Sequence, residues 1–239
     1  MPTRPRLADA FDSPDDKRRY NARLFGTIAG RYDLITRLLS YGRDQAWKRR
    51  TLDLARIAPG ERVLDLACGT GDLALAASSL GACVCALDLV PGMVALARRK
   101  PGAGPIRFLV GDMSALPLAA SSIDVITTGY GLRNVPRLDR AIGECARVLR
   151  PGGRFVSLDF NHPTQPALRA AYLLYLTVVG STVGFALHGD PDTYRYIPES
   201  IKRYPGADVV VSKLRQAGFV QARWHHVLGG LMAIHEATR

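Results

Sequence analysis

Val63-Leu64-Asp65-Leu66-Ala67-Cys68-Gly69-Thr70-Gly71-Asp72 reads as a buried strand that runs into a glycine-rich turn and then opens a helix. Glycines in such a turn permit positive φ and let a ligand approach the backbone closely. Gly69, Gly71 and Ala74 also fit the spacing G-x-G-x-x-G/A of dinucleotide folds, so a nicotinamide cofactor has to be weighed. Charge argues against it. Asp65, just before the turn, predicts a carboxylate near the helix N-terminus, where a dinucleotide places its pyrophosphate and like charges repel.

S-adenosylmethionine has no phosphate and carries an ammonium and a sulfonium, so the same carboxylate favours it. Asp72 is either a second negative group at the helix start or simply a helix cap. The next strand ends in Ala86-Leu87-Asp88-Leu89, where Asp88 is placed to accept both hydroxyls of a ribose. The strand after that ends in Gly111-Asp112-Met113, which puts Asp112 in reach of an adenine amino group. Met113 or Met93 offers a thioether to the adenine face, with core packing as the competing role of each. Three acidic residues ending three consecutive strands form a narrow pattern, because such ends line the crevice where doubly wound sheets bind ligands.

From Arg62 to Phe160 short β-rich runs alternate with helical patterns, which predicts βαβ units and a mostly parallel sheet. The expected strands are Arg62–Leu66, Ala82–Leu87, Ile106–Val110, Ile123–Thr127 and Arg154–Leu158. Helices are expected over Asp72–Leu80, Met93–Arg99 and Leu138–Leu149, the last stopped by Pro151-Gly152-Gly153. Residues 15–56 predict two helices that cap this core. Ala170–Leu187 is an 18-residue stretch without a charge, at the lower limit for spanning a bilayer. A catalytic core on both sides and Gly180 and Gly184 within it favour a pair of lid helices over a membrane span. A helix over Asp208–Ala217 and strands over Ala222–Val227 and Leu231–Ala237 would add an antiparallel edge to the sheet.

A chain of 239 residues, 47% hydrophobic, suits a single α/β domain. Cys68, Cys83, Cys85 and Cys145 show no metal-ligand spacing, so no metal site is expected and a reduced, cytoplasmic protein is. No secretory signal is read at the N-terminus. The net charge is +11, and residues 1–60 hold 13 basic against 7 acidic side chains. That end suits nucleic acid, the anionic inner face of a membrane, or solvent alone.

The series DLACGTGD, ALDLVPGM, GDMSALP and RVLRPGG resembles, in this order, the motifs of class I methyltransferases. Tyr32-Asp33, Leu38-Leu39-Ser40 with Trp47, Gly131-Leu132-Arg133-Asn134-Val135 and Tyr194-Arg195-Tyr196-Ile197-Pro198-Glu199-Ser200-Ile201 are similar to the signatures of the UbiE/MenG quinone C-methyltransferase family. The likeness runs from about Arg19 to His235. It implies a Rossmann-like methyltransferase sheet, S-adenosylmethionine as cofactor, and Asp65, Gly69, Gly71, Asp88, Asp112 and Met113 around it, with Thr70, Leu89 and Met93 beside them. The implied reaction is methylation of a ring carbon of a polyprenylated quinol, demethylmenaquinol first and a methoxy-polyprenyl benzoquinol second. The chain departs from the signature where Asn and His are usual, with Thr36 and Asp44, and after the fifth strand, with Asp159-Phe160-Asn161-His162-Pro163.

A quinol carbon is a poor nucleophile until a hydroxyl proton leaves, so the protein has to stabilise or create a phenolate. Arg133 and Asn134 are the first choices, Arg133 as a phenolate stabiliser since it is too basic to accept a proton. Tyr130 is expected to position the ring, His162 is a candidate base, and Tyr32, Tyr194 and Tyr196 are expected to line the acceptor pocket with the apolar 170–187 segment. A nucleic-acid methyltransferase lacks its amine-methylating motif here, and a non-catalytic cofactor-binding protein is the remaining rival. Peripheral contact with the membrane and a homodimer are the partners considered beyond the lipid-tailed quinol.

Overall fold

The computed structural model describes residues 7–40, 42–163, 165–190 and 192–239, so the first six residues of the basic end lie outside it. Helix α1 (Pro14–Ile28) starts where Ser13 accepts the Asp16 N–H at 3.1 Å, with Pro14 in its first turn and Asp15 and Asp16 beside the helix dipole's positive end. A short 3-10 turn leads into α2 (Tyr32–Leu39), and α3 (Asp44–Ala55) follows. The cap therefore holds three α-helices among the described residues where two were expected; the break after Leu39 comes at Ser40, in the polar Ser40–Arg43 stretch.

The core follows as β1 (Arg62–Leu66), α4 (Asp72–Ser79), β2 (Cys83–Asp88), α5 (Pro91–Arg98), β3 (Arg107–Val110), β4 (Ile123–Gly129), α6 (Leu138–Val148) and β5 (Leu149–Phe160). Strand β5 begins at Leu149, before the glycines expected to act only as a helix stop. The Pro151-Gly152-Gly153 turn is drawn into the sheet because Gly152 N–H donates to Arg239 O and Arg239 N–H to Gly153 O. After it come α7 (Pro166–His188), α8 (Asp192–Arg203), α9 (Ala207–Gln216), β6 (Val220–Val227) and β7 (Met232–Thr238).

The seven strands lie in the order β3-β2-β1-β4-β5-β7-β6. Strands β1 to β5 pair in parallel, while β7 runs antiparallel between β5 and β6. Alternation along the strands divides the core between the two faces. Val63, Val125 and Val156 join the cluster under α4 and α5, and Leu64, Ile126 and Phe155 join the one under α6 and α9. Asp65 falls on the first face by the same period of two, directly under the start of α4. Strand order reverses between β1 and β4, and the crevice beyond their carboxyl ends is where such sheets take ligands.

The uncharged 170–187 stretch is one continuous helix rather than a pair. Its partner is α8, and a β-carbon on Gly180 would lie 3.2 Å from the Tyr194 carbonyl oxygen, so the glycine admits a close neighbour instead of ending the helix.

Candidate functional site

The turn after β1 is set by Gly71, whose φ of 86° caps α4. A β-carbon there would approach that of Ala97 to 3.2 Å, so a side chain would press on α5. Beneath the turn, the Asp65 carboxylate accepts the Ala74 N–H at 3.1 Å and the Thr127 hydroxyl at 2.9 Å. It thus takes one of the helix-end amides that a pyrophosphate would use. Burial pushes the Asp65 carboxyl up to about 7, against the opposing pull of those two hydrogen bonds.

Asp88 accepts Gly69 N–H and Val90 N–H, both at 2.8 Å, one on each oxygen. Each oxygen keeps a further lone pair, which two ribose hydroxyls require. Asp112 accepts the Ser114 N–H at 2.8 Å and faces Arg18 of α1 at 3.4 Å. Asp112, Met113 and Leu89 line a pocket of about 70 Å³ that α1 closes with Arg18 and Asn21. Met93 is not among its lining residues; that side chain is buried with Ala29 and Val90, so of the two methionines it is Met113 that lines this pocket. Gly69, Thr70 and Asp65 line a second space of about 20 Å³ around the turn, and Thr70 donates to Asp33 at 2.6 Å.

Asp72 stands as a negative group in the first turn of α4 rather than as a cap. It makes no capping hydrogen bond, and Lys48 and Lys100 each reach it at 2.8 Å, holding its carboxyl well below the usual range although burial opposes them. Its charge is spent on them. Lys48 was missed in the sequence because it lies in a basic run on a helix whose orientation no spacing fixes. Its ammonium, also 2.6 Å from Asp44, is half-buried and lines the space at the glycine turn with Asp65. A cation and an anion side by side suit a zwitterionic amino-acid group, so the donor set fits the methionine end of S-adenosylmethionine, with Asp88 for its ribose and Asp112 for its adenine.

A larger cavity of about 300 Å³ lies between the cap and the lid. Its walls are apolar and aromatic, with Leu24, Ile28, Ile35, Leu176 and Ile197 among them. Tyr32 and Tyr130 line both this cavity and the space at the glycine turn, so the two meet at these rings. Burial pushes the Tyr32 hydroxyl up to about 12 and raises that of Tyr130 well above its ordinary value, which keeps both protonated.

Arg133 lines the same cavity although only 4% of it is exposed. Its backbone N–H donates to Asp159 at 2.9 Å, its guanidinium donates to Ser200, and its side chain lies 5.1 Å over the Phe160 ring. The Nε–H faces an Asp159 oxygen at 3.4 Å without hydrogen-bond alignment, leaving a buried donor unspent. Asn134 Nδ2 donates to Tyr130 O at 2.8 Å and its Oδ1 accepts from Tyr196 at 3.0 Å, which ties the turn to α8. Tyr194 and Tyr196 are both on the cavity wall, Tyr194 sharing a 2.9 Å hydrogen bond with His188. Thr36 is on the wall too, and Asp44 sits one layer behind Tyr130.

His162 is not brought to the site. It lines none of these cavities, and its ring packs on Gly206, 3.2 Å from where a β-carbon would be. The chain has turned toward α9 by this point, so no base is assigned there.

A family model described as the ubiE/COQ5 methyltransferase family matches residues 14–239. The chain belongs to this family. This ubiE/COQ5 chain is 41% identical to the demethylmenaquinone methyltransferase of Thermus thermophilus over 90% of its own length and all of that protein. It is 38% identical to the ubiquinone/menaquinone biosynthesis C-methyltransferase UbiE of Methylobacterium nodulans, covering 94% of this chain and 92% of that one. Among solved structures, a chain of the Haloferax volcanii complex between the Trm112 methyltransferase activator and a methyltransferase superposes with a TM-score of 0.65 at 19% identity, covering 90% of this chain and 96% of that one, a likeness of fold.

Proposed function

We propose that this methyltransferase moves the methyl group of S-adenosylmethionine to a ring carbon of a polyprenylated quinol, with demethylmenaquinol to menaquinol as its reaction. The carrying observation is the meeting of an apolar cavity with the glycine-turn site at Tyr32 and Tyr130. A ring held at that junction faces the methyl donor while its isoprenoid tail lies along the apolar wall. The names borne by the relatives from Thermus thermophilus and Methylobacterium nodulans support the same acceptor class. The second of those names covers the ubiquinone branch as well, which keeps methoxy-polyprenyl benzoquinol as the second reading.

S-adenosylmethionine, when bound, supplies an electrophilic methyl on a positively charged sulfur. Everything else is the work of the chain. Lys48 and Asp65 hold the amino-acid end, Asp88 the ribose, and Tyr32 and Tyr130 set the approach of the acceptor ring. Arg133, a guanidinium on the cavity wall, stabilises the phenolate oxygen from which charge flows to the attacking carbon. Labelled methyl transfer into lipid extracts tests this reading. Label is expected in the menaquinol of menaquinone-only cells, and an absence of label in both menaquinone-only and ubiquinone-only extracts would refute it.

The protein is proposed to work from the cytoplasm at the inner face of the membrane. Helix α7 is long and apolar enough to cross a bilayer, with a mean hydropathy of 1.7 over a window that is 17% buried. Leu174 at 64% exposed and Phe185 at 68% belong to its outward stripe, and the other side of the helix walls the acceptor cavity. Such a helix, half in the protein and half out, suits an interfacial position for collecting a lipid-tailed acceptor. Replacing Leu174 and Phe185 together by Asp is expected to abolish sedimentation with anionic vesicles while the melting temperature stays within 2 °C; unchanged sedimentation would refute membrane contact through α7.

A further inference from the structure

Tyr130 is held in an unusual way for a residue said only to position a ring. Its φ of 61° is a left-handed conformation that is unfavourable for a non-glycine residue, and such strain gathers at functional sites. The conformation is clamped by Tyr130 N–H donating to Leu158 O at 2.7 Å and by Asn134 on its carbonyl. What this secures is the direction of the phenol, whose hydroxyl donates to Asp44 Oδ1 at 2.7 Å. Asp44 is only 5% exposed, and its other oxygen is 2.6 Å from Lys48 Nζ. No protein donor among the described residues reaches the Tyr130 oxygen, and Tyr130 lines the acceptor cavity.

We propose that Tyr130 and Asp44 form a proton relay that activates the acceptor, with Asp44 taking the place in the site of the histidine usual in the family signature. The relay rests on the quinol reading above. As the quinol O–H proton passes to Tyr130 Oη, the Tyr130 proton passes to Asp44. The freed electron pair delocalises into the ring, and the ring carbon forms its bond to the methyl group as the methyl–sulfur bond breaks, its pair remaining on sulfur. The methylated carbon then loses its hydrogen to water, and the relay returns the stored proton to the oxygen. One proton is released per methyl transferred, and Asp44 ends as it began.

The charge of Asp44 is felt by Lys48 on its own helix, by Tyr130 at the strand end and by Tyr32 from α2, while Asp72 of α4 shares Lys48 with it and Asp159 acts on Tyr130 from the next strand. Arg133 on the same cavity covers the negative charge once it has moved to the quinol oxygen.

The test compares wild type with Asp44→Asn, Tyr130→Phe and Asp44→His. It reads kcat against pH at saturating S-adenosylmethionine, melting temperature, and S-adenosylhomocysteine binding by calorimetry. The relay predicts an acid limb in the wild-type kcat profile that disappears in Asp44→Asn, with kcat down about 100-fold in Asp44→Asn and Tyr130→Phe. S-adenosylhomocysteine binding should stay within threefold. Asp44→His should recover part of the rate, with its acid limb displaced toward the ordinary imidazole value of about 6.5. Variants that fold, bind S-adenosylhomocysteine and keep kcat within threefold with the limb in place overturn the relay alone. A wild type that binds S-adenosylmethionine and methylates no lipid quinol overturns the acceptor assignment, and the relay with it.

Discussion

At Asp65 the same burial that raises its carboxyl to about 7 makes cofactor binding a function of pH. On the proposed holding of the methyl donor's ammonium by ionised Asp65, affinity is expected to weaken as the pH falls through about 7 and to be full about a unit above it. The dissociation constant is expected to rise up to tenfold per pH unit below the transition, while Asp65→Asn binds weakly with no such slope; isothermal titration between pH 5.5 and 8.5 checks both. Asp65, Asp88 and Asp112 were legible in the sequence because a strand end fixes where a side chain points. Asp44 stood out only as a departure from the family signature and Lys48 not at all, because their meeting with Tyr130 and Asp72 depends on how α3 is laid across the sheet. His162 failed for the complementary reason, as a loop residue whose direction is set by packing on Gly206.

Among the elements, the alternating strands and helices of the core were read to within a few residues, since two-residue and near-four-residue periods identify themselves locally. Helix α7 was misread because a glycine inside an apolar run signals either a break or a close contact, and only the partner tells which. Here the partner is the backbone of α8 at Tyr194. Gly180→Val should therefore push the two helices apart, lowering stability by about 1–3 kcal/mol and raising the KM for quinol several-fold. Thermal melting and steady-state kinetics measure the two effects. Calorimetry should find cofactor binding unchanged, since α7 and α8 line neither the space at the glycine turn nor the adenine pocket.

A mostly parallel sheet with an antiparallel edge followed from β-α alternation and the strand-like tail, whereas the acceptor cavity did not, being assembled from helices at both ends of the sequence. Helix α1 lends Arg18 and Asn21 to the adenine pocket and Leu24, Phe25 and Ile28 to the acceptor cavity. Lys17 of the same helix donates to the carbonyls of Arg133 and Val135, both at 2.9 Å. With the cofactor and acceptor in their proposed places, one helix lines both sites, which would make each guest an effector of the other. Menaquinone should tighten S-adenosylhomocysteine, and S-adenosylhomocysteine should tighten menaquinone, by one common factor on the order of tenfold; unequal factors would break thermodynamic reciprocity, and a factor of one would mean the helix does not couple them. In a working enzyme such mutual grip turns the departure of the first product into the event that loosens the second.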